Sequence, residues 1–234
     1  MADYDLYYWP VPFRGQFVRA ILAHAGKSWT EHDAAEIGKL MRRAPGDQPI
    51  AFMGPPVLIE TRSGRALSQM PAIATWLGDN LGLTGPDPFE RALVAKVAGD
   101  ANDVIDELTL DGGRQMWTPK RWRAFVPRLE DWARIFEATA IRHGVEADAG
   151  YFLGTPEPGV ADIVTATLWS TMGDRFPPIQ EIVDAAAPRT AALTRRMQAT
   201  PALDALKARS YERYGDAYCG GEIEKSLRKV LGAA

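Results

Sequence analysis

A chain of 234 residues with 46% hydrophobic and 24% charged side chains has the composition of a soluble globular protein, long enough for one large domain or two smaller ones. Its net charge of −3 excludes the clustered basic excess of a nucleic-acid binder, and no apolar run is long enough to cross a bilayer. Met1-Ala2-Asp3-Tyr4-Asp5 lacks the basic start and apolar core of a signal peptide, and the single cysteine, Cys219, excludes an internal disulfide, so a reducing cytoplasm is the expected compartment.

Leu6-Tyr7-Tyr8-Trp9 reads as a short aromatic strand that Pro10-Val11-Pro12 ends. Arg14-Gly15-Gln16 leads into a helix carrying Phe17, Ile21 and His24, stopped by Gly26. A second strand is expected between Ser28 and Asp33, and a strand–helix–strand opening predicts a right-handed crossover with a parallel pair. Residues 34–52 read as a short helix plus a loop. Pro56-Val57-Leu58-Ile59-Glu60 and Arg65-Ala66-Leu67 predict a hairpin turning at Ser63-Gly64, followed by a helix from Met70 to Leu81.

The pattern changes at Gly82. Residues 82–88 read as a linker, and no convincing strand follows. Helical spacing predicts helices through Phe89–Leu108, Phe125–Phe136, Val160–Met172, Ile179–Ala186, Thr190–Gln198 and Ala202–Arg209. The Val160 helix is nearly apolar enough to be fully buried, with Gly159 at its N-cap and Asp162 three residues on as the capping carboxylate. From Ser210 the chain reads as polar and irregular up to a short basic helix near Ile223–Leu231. The expected division is residues 1–81, 82–88, 89–217 and a tail of 218–234: an α+β first part and an all-helical remainder.

The stretch from Met53 to Ile73 holds the first chemical signal. A double proline runs into a strand, and a hairpin later the polar Ser68-Gln69 open a helix with Pro71 in its first turn. A helix N-terminus of this kind favours a carboxylate, and the proline strand start offers backbone groups to a peptide.

This order of features resembles the soluble glutathione transferases over nearly the whole chain. Tyr8-Trp9-Pro10-Val11 with Arg14-Gly15 is similar to the first strand and loop of the tyrosine-containing classes. Pro56-Val57-Leu58-Ile59-Glu60 resembles the family's cis-proline strand, with Pro56 cis. Tyr151-Phe152-Leu153-Gly154 and Gly159-Val160-Ala161-Asp162-Ile163 resemble the loop and start of the buried helix in the second domain. The resemblance implies an N-terminal thioredoxin-like βαβ-α-ββα domain, an all-helical C-terminal domain, a bacterial source and a cytoplasmic homodimer with Phe52 as an interface key. It also implies glutathione as co-substrate, a hydrophobic electrophile as its partner, and no metal, nucleic acid or membrane. A glutathione-dependent peroxidase or isomerase, or a binding protein without turnover, are the alternatives on this scaffold.

Residue by residue, the resemblance makes Tyr8 the catalytic tyrosine. A free thiol has a pKa of about 8.5, and a hydrogen bond to a charged group contributes roughly 1.5–3 kcal/mol, so one hydroxyl donor lowers the thiol pKa by about one to two units. Glutathione contacts are expected from Trp9, Arg14, Lys39, Arg43, Pro55, Gln69, Met70 and Asp103, and the electrophile pocket from Val11, Phe13, Met116 and Trp117. Two positions depart from the family pattern. Pro55 keeps its C=O but has no N–H. Met70 stands where the family has a serine, leaving its backbone N–H and the helix dipole to serve. The absence of a cysteine near the first strand excludes mixed-disulfide chemistry there, and the scattered His24, His32 and His143 form no metal-ligand pattern.

Overall fold

A computed structural model describes residues 1–232. The first part is a four-stranded sheet of order β2-β1-β3-β4, built from β1 (Tyr4–Tyr7), β2 (Trp29–His32), β3 (Val57–Glu60) and β4 (Ala66–Ser68). β1 pairs parallel with β2 and antiparallel with β3, and β3 pairs antiparallel with β4. Helices α1 (Phe13–His24), α2 (Ala34–Met41) and α3 (Met70–Leu81) are interleaved with the strands. The first strand lies two residues earlier than its apolar run predicts. Its bounds follow from cross-strand partners, Tyr4 to Tyr7 facing Trp29 to His32 on one side and Glu60 to Val57 on the other, which local sequence does not reveal.

The remainder is helical: α4 (Pro88–Leu108), the four-residue α5 (Leu110–Gly113), α6 (Pro119–Arg142), α7 (Val160–Arg175), α8 (Pro177–Ala186), α9 (Pro188–Gln198), α10 (Pro201–Tyr214) and α11 (Gly221–Leu231). Starts are chemically marked. Asp87 accepts from Phe89 N–H and Thr118 from Arg121 N–H, with Pro88 and Pro119 in the first turns where a missing N–H costs nothing. Asp162 Oδ2 accepts from Gly159 N–H at 2.9 Å, as the spacing predicted, and Oδ1 also takes Phe152 N–H at 2.6 Å.

α7 is buried along almost its whole length and packs against α1, α4, α8 and α9. One hydrophobic core therefore runs from Leu6 and Ile21 in the first part to Trp169 and Leu193 in the second. This is a thioredoxin-like sheet followed by an all-helical part. The chain beyond Ser210 is more ordered than its polarity predicts: α10 continues to Tyr214, and Tyr218 is 2% exposed in the segment before α11.

Candidate active site

Sheet register brings three sequence-distant segments to one end. Tyr7, the last residue of β1, faces Val57, the first of β3, and Val57 faces Ser68, the last of β4. Tyr8, the cis Pro55–Pro56 bond and Gln69 therefore leave the sheet side by side. Gln69 holds φ 73° and ψ 115°, a sparsely populated conformation for a residue with a side chain, of the kind that clusters at ligand sites. The start of α3 has no side-chain cap and no acidic residue in its first turn, so its positive end is open to an anion. The Met70 side chain is 1% exposed, leaving only backbone at that position to meet a ligand.

Tyr8 lies just past β1, its backbone N–H tied to His32 O at 3.1 Å. Its ring is 2% exposed. The hydroxyl accepts from Arg14 N–H at 3.0 Å, and among the described residues no acceptor is hydrogen-bonded to the hydroxyl's own proton. Burial pushes the hydroxyl pKa well up, with the Arg14 and Arg19 guanidiniums and the backbone N–H groups of Arg14 and Gly15 pulling the other way. Tyr8 is thus a neutral donor and not a base at physiological pH. Gly15 makes this packing possible, since a Cβ there would stand 2.7 Å from Tyr8 Cγ.

The Arg14 side chain turns to α4, with Nε donating to Asn102 at 3.1 Å and a terminal nitrogen to Asp106 at 3.1 Å. Asp103, the residue expected near a ligand, is exposed on α4, and Asp100 pairs with Lys96. Asn102 and Asp106, at an i,i+4 spacing on one helix face, are the acidic and amide partners that the sequence reading missed. Lys39 is exposed on α2 and pairs with Glu36 at 2.6 Å. Arg43, just beyond α2, lies close enough to the Tyr7 hydroxyl to oppose the rise in its pKa caused by burial and by Asp5 and Glu36.

Comparison with known proteins now bears on this geometry. The family described as glutathione S-transferase, C-terminal domain, matches residues 93–230. The chain belongs to the glutathione S-transferase family. It is 30% identical over 108 residues to a probable glutathione S-transferase 7 of Caenorhabditis elegans, a match covering 46% of this chain and 50% of that protein. The chain thus spans about half the length of that curated relative. Among solved structures, NaGST-2 superimposes with a TM-score of 0.70 at 25% identity, covering 89% of this chain and 97% of that one. The monomeric glutathione S-transferase Na-GST-3 of the hookworm Necator americanus gives a TM-score of 0.70 at 22% identity, covering 88% and 96%. These relatives lend no support to a bacterial source.

The residues expected to border a second ligand lie on the loop after β1 and near the start of α6. Trp9 is 36% exposed and Val11 is half-buried, so both border solvent. Phe13 is not an open pocket wall as expected. It starts α1 at φ 24°, is 8% exposed, and packs edge-on to Tyr218 with ring centres 5.3 Å apart. Met116 is 37% exposed, whereas Trp117 is 5% exposed, donates its indole N–H to Leu108 O at 2.9 Å, and packs on Trp122 and Phe125. Trp117 is therefore a core anchor. Phe52 packs against the cluster of Ile37, Leu40 and Val57, and the projecting side chain of its loop is Met53, 89% exposed.

Two further features were not legible locally. Arg19 is 3% exposed, forks onto Glu31 at 2.7 and 3.1 Å, and also donates to the Val11 and Pro12 carbonyls, bracing the loop after Tyr8. The segment before α11 is a strap over that loop. Phe13 N–H donates to Tyr218 O, while Glu224 Oε2 accepts from the N–H groups of Tyr218, Cys219 and Gly220 at 2.9, 2.9 and 2.6 Å. Burial pushes the Cys219 thiol up to about 12, with the Glu224 carboxylate adding to it, which holds it in the protonated form at neutral pH.

Proposed function

We propose that this chain is a glutathione transferase in which the Tyr8 hydroxyl stabilises the thiolate of bound glutathione for attack on a hydrophobic electrophile. The observation that carries the reading is the Tyr8 hydroxyl itself: it accepts from Arg14 N–H, stays protonated because it is buried, and has its own proton left to give. A sulfur brought to that proton gains a charge-favouring hydrogen bond. In this reading residues 1–81 supply the glutathione side. The Gln69–Met70 backbone at the α3 N-terminus holds the γ-glutamyl carboxylate, the Pro55 carbonyl accepts from the cysteinyl N–H, and Arg43 and Lys39 attract the glycyl carboxylate. Trp9, Val11 and Met116 border the electrophile. Asn102 and Asp106 fix Arg14, and so the loop that sets the Tyr8 hydroxyl.

Calorimetric titration with glutathione, followed by thiolate absorbance of the complex against pH, tests this. Tyr8→Phe is expected to bind glutathione and to raise its thiol pKa by about one to two units, with turnover near neutral pH down roughly tenfold or more. Unchanged thiol ionisation in Tyr8→Phe overturns the tyrosine mechanism. Absence of binding heat at millimolar glutathione favours a carrier of apolar ligands, the reading that Pro55, lacking an N–H, supports.

The proposal includes a cytoplasmic homodimer contacting through Met53, whose exposed side chain supports an apolar contact with a second copy. Sedimentation of the wild type and Met53→Lys measures it. A monomer in both removes the dimer, as Na-GST-3 is itself described as monomeric.

A further inference from the structure

The bond onto the Tyr8 hydroxyl comes from a single peptide plane, the one between Phe13 and Arg14. Because that peptide is planar, the backbone dihedrals of Phe13 decide where its N–H points. Phe13 holds φ 24°, in the left-handed region, and such a conformation persists only where its surroundings over-determine it. The start of α1 has no side-chain cap to do this. The restraint comes from the other end of the chain. Tyr218 holds Phe13 twice: its carbonyl accepts the Phe13 N–H at 3.2 Å, and its ring meets the Phe13 ring edge-on at 5.3 Å.

Tyr218 is itself held on several sides. Its ring packs edge-on to Phe176, again with centres 5.3 Å apart, and the neighbouring Ala217 carbonyl accepts from Arg175 Nε at 2.6 Å. The largest share falls to Glu224, a buried carboxylate in the first turn of α11. One of its oxygens gathers the Tyr218, Cys219 and Gly220 N–H groups, and the other takes two Arg228 donors at 2.9 and 2.7 Å. Charge-assisted bonds of this kind are the strong ones, and five of them fix the Tyr218 peptide. From Glu224 the contacts run through Tyr218, Phe13 and the Arg14 N–H to the Tyr8 hydroxyl without a gap.

We infer that Glu224 is a positioning residue for Tyr8: through Tyr218 and Phe13 it sets the Arg14 N–H against the phenol oxygen. Hydrogen bonds in series polarise one another, so an N–H donating to the hydroxyl oxygen makes the hydroxyl a better donor in turn. A carboxylate that only stabilised the fold would leave the ionisation of a bound thiol alone. A positioning carboxylate alters that ionisation while glutathione binds as before. Its effect on turnover rests on the Tyr8 reading above, whereas its effect on the Arg14 amide rests on the geometry alone.

Glu224→Gln tests this, because an amide has one acceptor oxygen and turns N–H donors to the other half of the arrangement. Arg228→Gln is the milder variant, keeping all three strap N–H contacts, and carries the same comparison if Glu224→Gln does not fold. Arg196→Gln is the control for lost stability alone, since Arg196 donates to the Glu146, Ala147 and Gly150 carbonyls of a different loop. In the ligand-free protein, amide exchange at Arg14 is expected to accelerate about tenfold in Glu224→Gln, less in Arg228→Gln, and to stay within about twofold in Arg196→Gln. In the glutathione complex, the thiol pKa of Glu224→Gln is expected to rise by about half to one unit, with kcat near neutral pH down about three- to tenfold. Calorimetric affinity for glutathione should stay within about twofold. Arg14 exchange equal to wild type, in a folded Glu224→Gln whose residues 218–220 exchange faster, overturns the inference. So does Arg196→Gln reproducing the same changes. Unchanged thiol ionisation in Tyr8→Phe removes the thiolate reading instead, and Arg14 exchange then decides the role of Glu224 by itself.

Discussion

The Arg14 backbone N–H donates to the Tyr8 hydroxyl at 3.0 Å, while the Arg14 side chain is anchored on Asn102 of α4. One residue thus both orients the hydroxyl and ties its loop to the helical part. The hydroxyl oxygen is held by this N–H, and among the described residues no acceptor takes its proton.

Gly15 is the space this arrangement requires. Gly15→Ala would set a methyl 2.7 Å from Tyr8 Cγ and 3.0 Å from an Arg19 nitrogen, so the ring must shift. Overpacking of this kind costs about 1–3 kcal/mol. Urea denaturation should show that loss, and turnover should fall further than substrate affinity, because the displaced group is the proposed donor to the thiolate.

Arg19 and Arg14 predict opposite outcomes for two ion pairs. Arg19→Ala leaves Glu31, 15% exposed, without its cation, and breaking a buried pair costs about 3–5 kcal/mol. Asp106→Asn removes a pair in which Asp106 is 52% exposed, expected to change stability by only about 0–1 kcal/mol. Thermal melts of the two variants side by side check the contrast.

Acid should loosen the strap first. Burial pushes the Glu224 carboxyl up, but the backbone N–H groups of Gly220 and Tyr218 and the Arg228 side chain outweigh it and leave its pKa below the ordinary glutamate value. A folded-state pKa lower than the unfolded one contributes stability above the unfolded value, about 4.3, that is lost as pH falls through the folded one. Glu31 shifts in the same direction, with its burial outweighed by Arg19 and Trp29. Hydrogen exchange at residues 218–220 should accelerate below about pH 4, and Glu224→Gln should show the faster exchange already at neutral pH.

Asp162 runs the other way. Burial pushes its carboxyl up to about 6, with the Gly159 and Phe152 N–H groups opposing. The folded state then holds a proton that the unfolded chain has released, so this group's contribution falls as pH rises between about 4 and 6 and is flat above. Asp162→Asn should abolish that slope. It also leaves one of the two N–H groups without an acceptor, costing about 1–3 kcal/mol at neutral pH, read from denaturant melts.

The elements most legible in the sequence were those whose burial is written in a local period. The Val160 helix and its Asp162 cap, the Met70–Leu81 helix and the hairpin around Gly64 all follow from spacing and turn chemistry. Pro56 and Gln69 were legible as neighbours once the hairpin was recognised, whereas Tyr8 was singled out by resemblance and is brought beside them by strand register. Arg19 was not, since a buried arginine is intelligible only with Glu31, which reaches it across a crossover. Trp117 and Phe13 were expected in the pocket, and only packing against Leu108 and Tyr218 shows that they belong to the core. Glu224 belongs to a charged helix that reads as solvated, and its three N–H partners lie in a segment with no period of its own.

The bond from Phe13 N–H to Tyr218 O joins positions 205 residues apart. On a ribosome, the sheet end carrying Tyr8 emerges early, while the segment that clasps its loop is still untranslated. The nascent chain therefore assembles its sheet long before the loop after Tyr8 acquires its last support, and the Tyr8 end of the sheet matures only once residue 218 has been made.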